Sequence, residues 1–217
     1  MQDKNDQVVA RLQKLEKFKE MGIEAYPHSF NRSHDSCLLK EKKEEFLANE
    51  TTISFAGRVV RFNRKGKVCF MHLKDRYGRL QVVCARDIVG EENYEVVKLI
   101  DLGDFIGVEG VMFETQTGEY SVKVSSVKML SKAVRPLPTP KEKIDENGNK
   151  IIFNEFADVD TRYRQRYTDM ALNDDVKDVF IKRSKIMQSI REYLIEQGFI
   201  EVETPTLQPI YGGANAR

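Results

Sequence analysis

Two short segments place an aromatic ring and an amide where a sheet can present them together. In VCFMHLK, Cys69, Met71 and Leu73 recur at every second position and form the core-type set, so Phe70 points the other way, beside Val68, His72 and Lys74. In RLQVVCAR, Leu80, Val82 and Cys84 alternate with Arg79, Gln81 and Val83. The turn DRYG joins the two runs as an antiparallel hairpin, which makes Gln81 a direct or diagonal neighbour of Phe70. An aromatic on the wet face of a barrel is a platform for an unstacked base, with stacking of roughly 1–3 kcal/mol per base. An amide both donates to and accepts from a base edge. Between Gly57 and Leu73 stand Arg58, Arg61, Arg64, Lys65 and Lys67 with no acid, the field a phosphate backbone needs. The chemistry is recognition of a single strand of nucleic acid. In the alternative, Phe70 covers a small second core against the N-terminal helices and the cations form a solvated edge. The basic run and Gln81 favour the RNA reading on pattern. His72 receives no role, since one histidine on a strand is more often surface or hydrogen-bonded filler. Cys37, Cys69 and Cys84 contain no CxxC pair, so neither a disulfide framework nor a metal site is signalled.

These residues need a barrel to hold them. From Ile53 the period is two: Ile53, Phe55, Gly57 and Val59 face one way and Ser54, Ala56, Arg58 and Val60 the other. After the hairpin a helix is expected from about Glu91 to Leu99, then the strands DFIGVEGVMFE and YSVKVSSVKML around the turn TQTGE. Five short strands with a helix between the third and fourth is the layout of an OB-fold. Such barrels bind oligonucleotides across their second and third strands, and RNA sequence is read in single-stranded loops.

The expected class is α+β in four parts. Residues 1–50 form a helical arm, with an amphipathic helix over 5–21 closed by Gly22 and a second over 38–49. Residues 51–133 form the barrel. Residues 134–160 form a linker, extended at RPLPTP and polar at KEKIDENGNK with a turn at Asn147-Gly148. Residues 161–217 open a further domain with a helix from about Asp175 to Gln197, then strand alternation in FIEVETP up to Pro205. The helix carries Val176, Val179, Phe180, Ile186, Met187, Ile190, Leu194 and Ile195, a broad apolar surface that either a second chain or a larger domain would cover. No run approaches the ~18 apolar residues of a membrane-spanning helix, and the charged N-terminus lacks the apolar centre of a secretory signal. A cytoplasmic protein is expected. The net charge of +1 averages local extremes and decides nothing.

From about Leu12 to Arg217 the chain resembles the class IIb aminoacyl-tRNA synthetases, the lysyl, aspartyl and asparaginyl group. GKVCFMHLKDRYGRLQ is similar to their first barrel hairpin, and GFIEVETPTLQPI with the helix before it is similar to class II motif 1. The arm KLEKFKEMGIEAYPHSF, the segments LSKAVRPLPTP and TRYRQRYTDM, and the ending YGGANAR resemble the lysyl branch. The resemblance implies an OB-fold that binds the anticodon, followed by the start of an antiparallel-sheet catalytic domain. It implies that Phe70 stacks on the central anticodon base, that Gln81 contacts it, and that Glu119 in TGEYSV contacts an anticodon base. The family's arginine three residues before the hairpin glycine is Asn63 here, flanked by Arg61 and Arg64; Arg64 is the expected substitute. Pro205 is implied at a homodimer interface, in keeping with a residue that cannot donate to a sheet ladder. Gly212 and Gly213, with Ala214 beside them, match the glycines of a lysine pocket; without the family they would read as an ordinary turn.

The implied reaction joins lysine and ATP into lysyl-adenylate, then passes the lysyl group to the terminal ribose of tRNA, with ATP and Mg²⁺ required by the full-length enzyme. The clamping arginines and metal-binding carboxylates of that chemistry belong to motifs 2 and 3, downstream of motif 1. No catalytic residue and no metal ligand is therefore expected within 1–217, and no cofactor is expected to bind this stretch alone. The alternatives are an aspartyl- or asparaginyl-type synthetase and a non-enzymatic single-strand-binding protein.

Overall fold

Alternation that starts at Ile53 closes on itself. In a computed structural model, which describes residues 2–138, 141–144, 150–153 and 156–205, the chain divides into two units, residues 1–137 and 138–217. In the first unit the strands β1 (Ile53–Lys65), β2 (Val68–Lys74), β3 (Arg79–Ala85), β4 (Phe105–Glu114) and β5 (Tyr120–Ser131) form a closed barrel in the order β1-β2-β3-β5-β4. β3 and β5 run parallel and every other pair antiparallel. Ile53, Phe55, Cys69, Met71, Leu73, Val82, Cys84, Ile106, Val108, Val122, Val124 and Met129 all fill the interior at 0% exposure. The fold is the expected OB-fold. Between β3 and β4 lie α4 (Arg86–Val89) and α5 (Glu91–Leu99), which bury Val89, Tyr94, Val96 and Val97.

β1 is long because it serves two partners. Its first half, Ile53–Arg58, pairs with β4, and its second, Arg58–Lys65, pairs with β2. A bulge falls between Val59 and Arg61: Val59 pairs with Leu73, and Arg61 already pairs with His72. One extra residue in one strand exchanges its faces. Beyond the bulge Arg61, Asn63 and Lys65 therefore share the face of His72, Phe70 and Val68, and Phe62 and Arg64 share the face of Met71 and Cys69.

The arm is docked by helix α1 (Gln2–Glu20), the helices α2 (Ser36–Glu41) and α3 (Lys43–Asn49), and the chain between α1 and α2. The single helix expected over 38–49 breaks at Lys42 (φ −102°, ψ 32°); Leu39 on one segment and Phe46 on the other are both buried. Gly107 of β4 lies under the ring of Phe30, where a Cβ would sit 2.5 Å from the ring, so only glycine lets the arm lie this close. Asp75, at the β2–β3 turn, accepts from Ser36 N (2.8 Å) and Ser36 Oγ (2.5 Å), and from the amides of Tyr77 (2.8 Å) and Gly78 (2.9 Å). Partial burial works to raise its pKa, but these donors prevail and hold it below the usual aspartate value. A depressed carboxylate stabilises fully above its unfolded pKa of about 3.9 and loses that contribution as pH falls through the folded value. Asp75→Asn should cost about 1–2 kcal/mol at neutral pH, discounted for partial exposure, and progressively less below about pH 4. Urea unfolding of both forms at pH 7 and pH 3 measures this.

A clasp of charges joins α1 to the barrel floor. Lys132 has a fully buried side chain whose Nζ donates to Leu99 O (2.9 Å), Asp101 Oδ2 (2.7 Å) and Asp104 Oδ2 (2.7 Å). Lys14 of α1 reaches Asp101 Oδ1 (2.5 Å), and Arg11 donates to the carbonyls of Ala133 (2.7 Å) and Leu102 (3.0 Å). Burial works to raise the Asp101 pKa, yet hydrogen bonds from Lys132 and Lys14 bring it below the usual range. Phe18 is fully buried, while Val9 and Leu12, nearer the start of α1, stay exposed.

The second unit holds α6 (Val159–Arg164), α7 (Arg166–Leu172) and α8 (Asp174–Glu196). Asp158 caps α6 by accepting from Thr161 N at 2.8 Å. Asp169 is fully buried and accepts from Arg162 Nε (3.0 Å), Arg166 Nη1 (2.5 Å) and Asn173 Nδ2 (2.7 Å), which ties the ends of the three helices together. Two differences from the sequence expectation stand out. The span expected to be linker carries a small antiparallel sheet of β6 (Lys141–Ile144) and β7 (Lys150–Phe153). The strand expected in FIEVETP does not form: residues 199–205 have no ladder, because alternation supplies a face but not a partner, and no described segment pairs with it. Among the described residues no helix is long and apolar enough to cross a membrane.

Candidate nucleic-acid interface

Two rows of side chains cross the outer face of β1, β2 and β3. One row is Asn63, Phe70 and Val83; the next is Arg61, His72 and Gln81. Phe70 is partly exposed on the face opposite Cys69 and Met71, which are sealed inside. Gln81 is therefore its diagonal neighbour, and His72 faces Gln81 directly. The β4–β5 loop closes one side of a groove of about 230 Å³, contributing Thr115, Thr117 and Glu119; Lys65 joins Arg61 and Asn63 along the β1 wall.

The loop is braced from within. Thr115 N donates to Glu119 O (3.0 Å), Glu119 N to Thr115 Oγ1 (3.0 Å) and Gly118 N to Thr115 O (2.9 Å), with Gly118 at φ +78°. Its end is pinned to the sheet: Gln81 Nε2 lies 2.5 Å from Glu119 Oε2, and His72 Nε2 lies 2.9 Å from Glu119 Oε1. A carboxylate only accepts, which fixes the amide with nitrogen toward Glu119 and oxygen toward Ser121 Oγ (2.8 Å). Gln81 is only 8% exposed, since β3 pairs with β5 at Ser121 and the loop folds over it. It lines the groove as a covered wall rather than an open platform.

The cations part company. Arg61 and Lys65 line the groove, whereas the bulge puts Arg64 on the opposite face, beside Phe62, Lys98 and Asp101. Arg64 thus lies off the groove, not at the place expected of a substitute for the family's arginine. Arg58 is also elsewhere: it stacks over the Phe105 ring at 4.3 Å, donates to Gly103 O (3.3 Å), and burial pushes its pKa down. His72, Ser121, Thr115 and Thr117 escaped the sequence analysis as site residues. Alternation already put His72 beside Phe70, but its partner lies 47 residues away. Pro205 is exposed at the end of the described stretch 199–205, which forms no helix or strand, and Gly212, Gly213 and Ala214 lie outside the described residues.

A closed five-stranded barrel with an aromatic, cationic groove over its second and third strands is that of a nucleic-acid-binding OB-fold, and residues 53–130 match the OB-fold nucleic acid binding domain family. Residues 158–217 match tRNA synthetases class II (D, K and N). Similar proteins include the lysine–tRNA ligase of Staphylococcus epidermidis, 44% identical over 223 residues. The lysine–tRNA ligase of Streptococcus pneumoniae is 44% identical over 222 residues. Both alignments span all of this chain but 43% and 42% of the relatives, so the chain covers less than half their length.

Proposed function

We propose that the chain is the anticodon-reading part of a cytoplasmic lysine–tRNA ligase, an enzyme that uses ATP and Mg²⁺ to make lysyl-adenylate and charge tRNA. The observation that carries this is the groove: Phe70 offers a face for one unstacked base, Glu119 and Gln81 border it with polar edges, and Arg61 and Lys65 supply charge for the backbone. The alignment with lysine–tRNA ligases along the whole chain supports lysine over aspartate or asparagine. A homodimer through motif 1 is part of the same proposal, with Pro205 at the interface; it is supported by Val179, Ile186, Ile190 and Ile195 of α8, each at least 49% exposed in the isolated chain. Gly212, Gly213 and Ala214 would contribute to the lysine pocket.

The 217-residue chain should bind a stem-loop with a UUU anticodon more tightly than one with GUC; equal affinities would remove the lysine assignment. Lysine-dependent pyrophosphate exchange should be undetectable with this chain alone, because the family's catalytic arginines and carboxylates belong to motifs outside it. Binding should weaken with salt, and Arg61→Ala or Lys65→Ala should each lower the slope of log affinity against log salt by about 0.7 if each neutralises one phosphate. Arg58→Ala should leave the slope unchanged. An unchanged slope for both groove variants would remove them from the backbone contact.

A further inference from the structure

We infer that His72 is a positioning residue for Glu119, holding the carboxylate in the orientation that discriminates among bases in the groove. The inference rests on the groove taking a single-stranded base. Glu119 sits at the end of an exposed loop, where a free glutamate would sample several rotamers and lose that freedom on binding. Here it is held at two points. His72 Nε2 meets Oε1 at 2.9 Å and Gln81 Nε2 meets Oε2 at 2.5 Å, from residues directly opposed on adjacent strands. One donor alone would leave the carboxylate to pivot about a single hydrogen bond; two fix its plane. Both the Nε2–H tautomer of neutral imidazole and the imidazolium donate at this position.

The consequence is selective. An ionised carboxylate has about four lone-pair directions, and the two strands consume two of them. The remaining acceptor sites suit a base edge that offers N–H. A base presenting a lone pair there would meet an acceptor with an acceptor, and both would stay unpaired. His72 thus acts on selectivity, and Phe70 on affinity for any base.

The test compares the full 217-residue chain with five variants, titrating a UUU stem-loop and the loops that differ from it at one anticodon position. His72→Ala should reduce the preference for UUU by roughly tenfold, the size of one hydrogen bond to a charged group. His72→Gln, whose amide reaches the same place, should restore most of it. In a Glu119→Gln background His72→Ala should be nearly silent, since the two losses share one interaction. An undiminished preference in His72→Ala, with Phe70→Ala still weakening every loop, would overturn the positioning role and leave the groove proposal standing. Additive losses from His72→Ala and Glu119→Gln would overturn it equally. If Phe70→Ala binds every loop like the parent chain, the groove proposal and this inference fall together.

Discussion

Replacing Phe70 by alanine is expected to weaken binding of a UUU stem-loop by roughly 1–3 kcal/mol, the span measured for base–aromatic stacks. The expectation comes from the side of the strand the ring occupies. Phe70 lies between Asn63 and Val83 on the outer face, while Cys69 and Met71, its neighbours in sequence, are at 0% exposure inside. A phenylalanine that belonged to the core would cost about 3–5 kcal/mol of stability when truncated. This one should cost much less, and its loss should show in binding. Titration of the stem-loop together with urea unfolding separates the two roles. An affinity within ~0.5 kcal/mol of the parent, accompanied by a large fall in stability, would make Phe70 a packing residue and empty the groove of its stacking platform.

Lys132→Ala is expected to destabilise the barrel unit by about 3–5 kcal/mol, the range for removing one partner of a buried ion pair. All three ammonium protons are used, on Leu99 O, Asp101 and Asp104, and the side chain has no access to water. Truncation strands two carboxylates that now share one cation. Asp104 keeps the amides of Ala133 (2.8 Å) and Asp101 (2.7 Å), and Asp101 keeps Lys14, so the deficit is partly local. With Lys132 present, the Asp101 pKa lies below its ordinary value, so its contribution is complete above about pH 4 and fades as pH falls through the folded value. Without it, the Asp101 carboxylate loses a hydrogen bond that holds its pKa down, and protonation at low pH relieves the strain. Both effects narrow the gap between the two proteins on acidification. Urea midpoints followed by circular dichroism at pH 7 and pH 3 check the size and the sign. Faster amide exchange around Lys14 should accompany the loss, because the same cluster docks α1. A stability change below ~1 kcal/mol at pH 7 would mean that the cluster contributes little net energy.

The barrel was legible because period-two alternation and turn chemistry are local. Ile53, Phe55, Cys69, Met71, Leu73, Val82 and Cys84 all went where their spacing put them. The groove was legible only in part, and the bulge at Val59–Arg61 explains why. Counting alternate residues from Ile53 puts Phe62 and Arg64 on the outer face; the extra residue puts Arg61 and Asn63 there instead. Nothing in the run VVRFNRK marks where the parity changes, because a bulge is fixed by how the strand turns between its two partners. The cover over Gln81 was hidden for another reason: it comes from a loop 38 residues away. In the sequence Lys132 is one more cation before a proline-rich stretch. Its burial depends on Asp101 and Asp104, which sequence alone does not bring to it. The hairpin of β6 and β7 was masked by the polar composition of β6 and of the turn, although β7 (KIIF) is mostly apolar.

Barrel closure also limits the means by which this protein can read a partner. With β1 shared between β2 and β4, and β3 joined to β5, every strand of the sheet has a neighbour on each side. Where β1, β2 and β3 pair, main-chain amides and carbonyls are spent on one another, and the groove is lined by what projects from them. A recognition surface of that kind can be respecified one residue at a time without unpicking the scaffold that bears it.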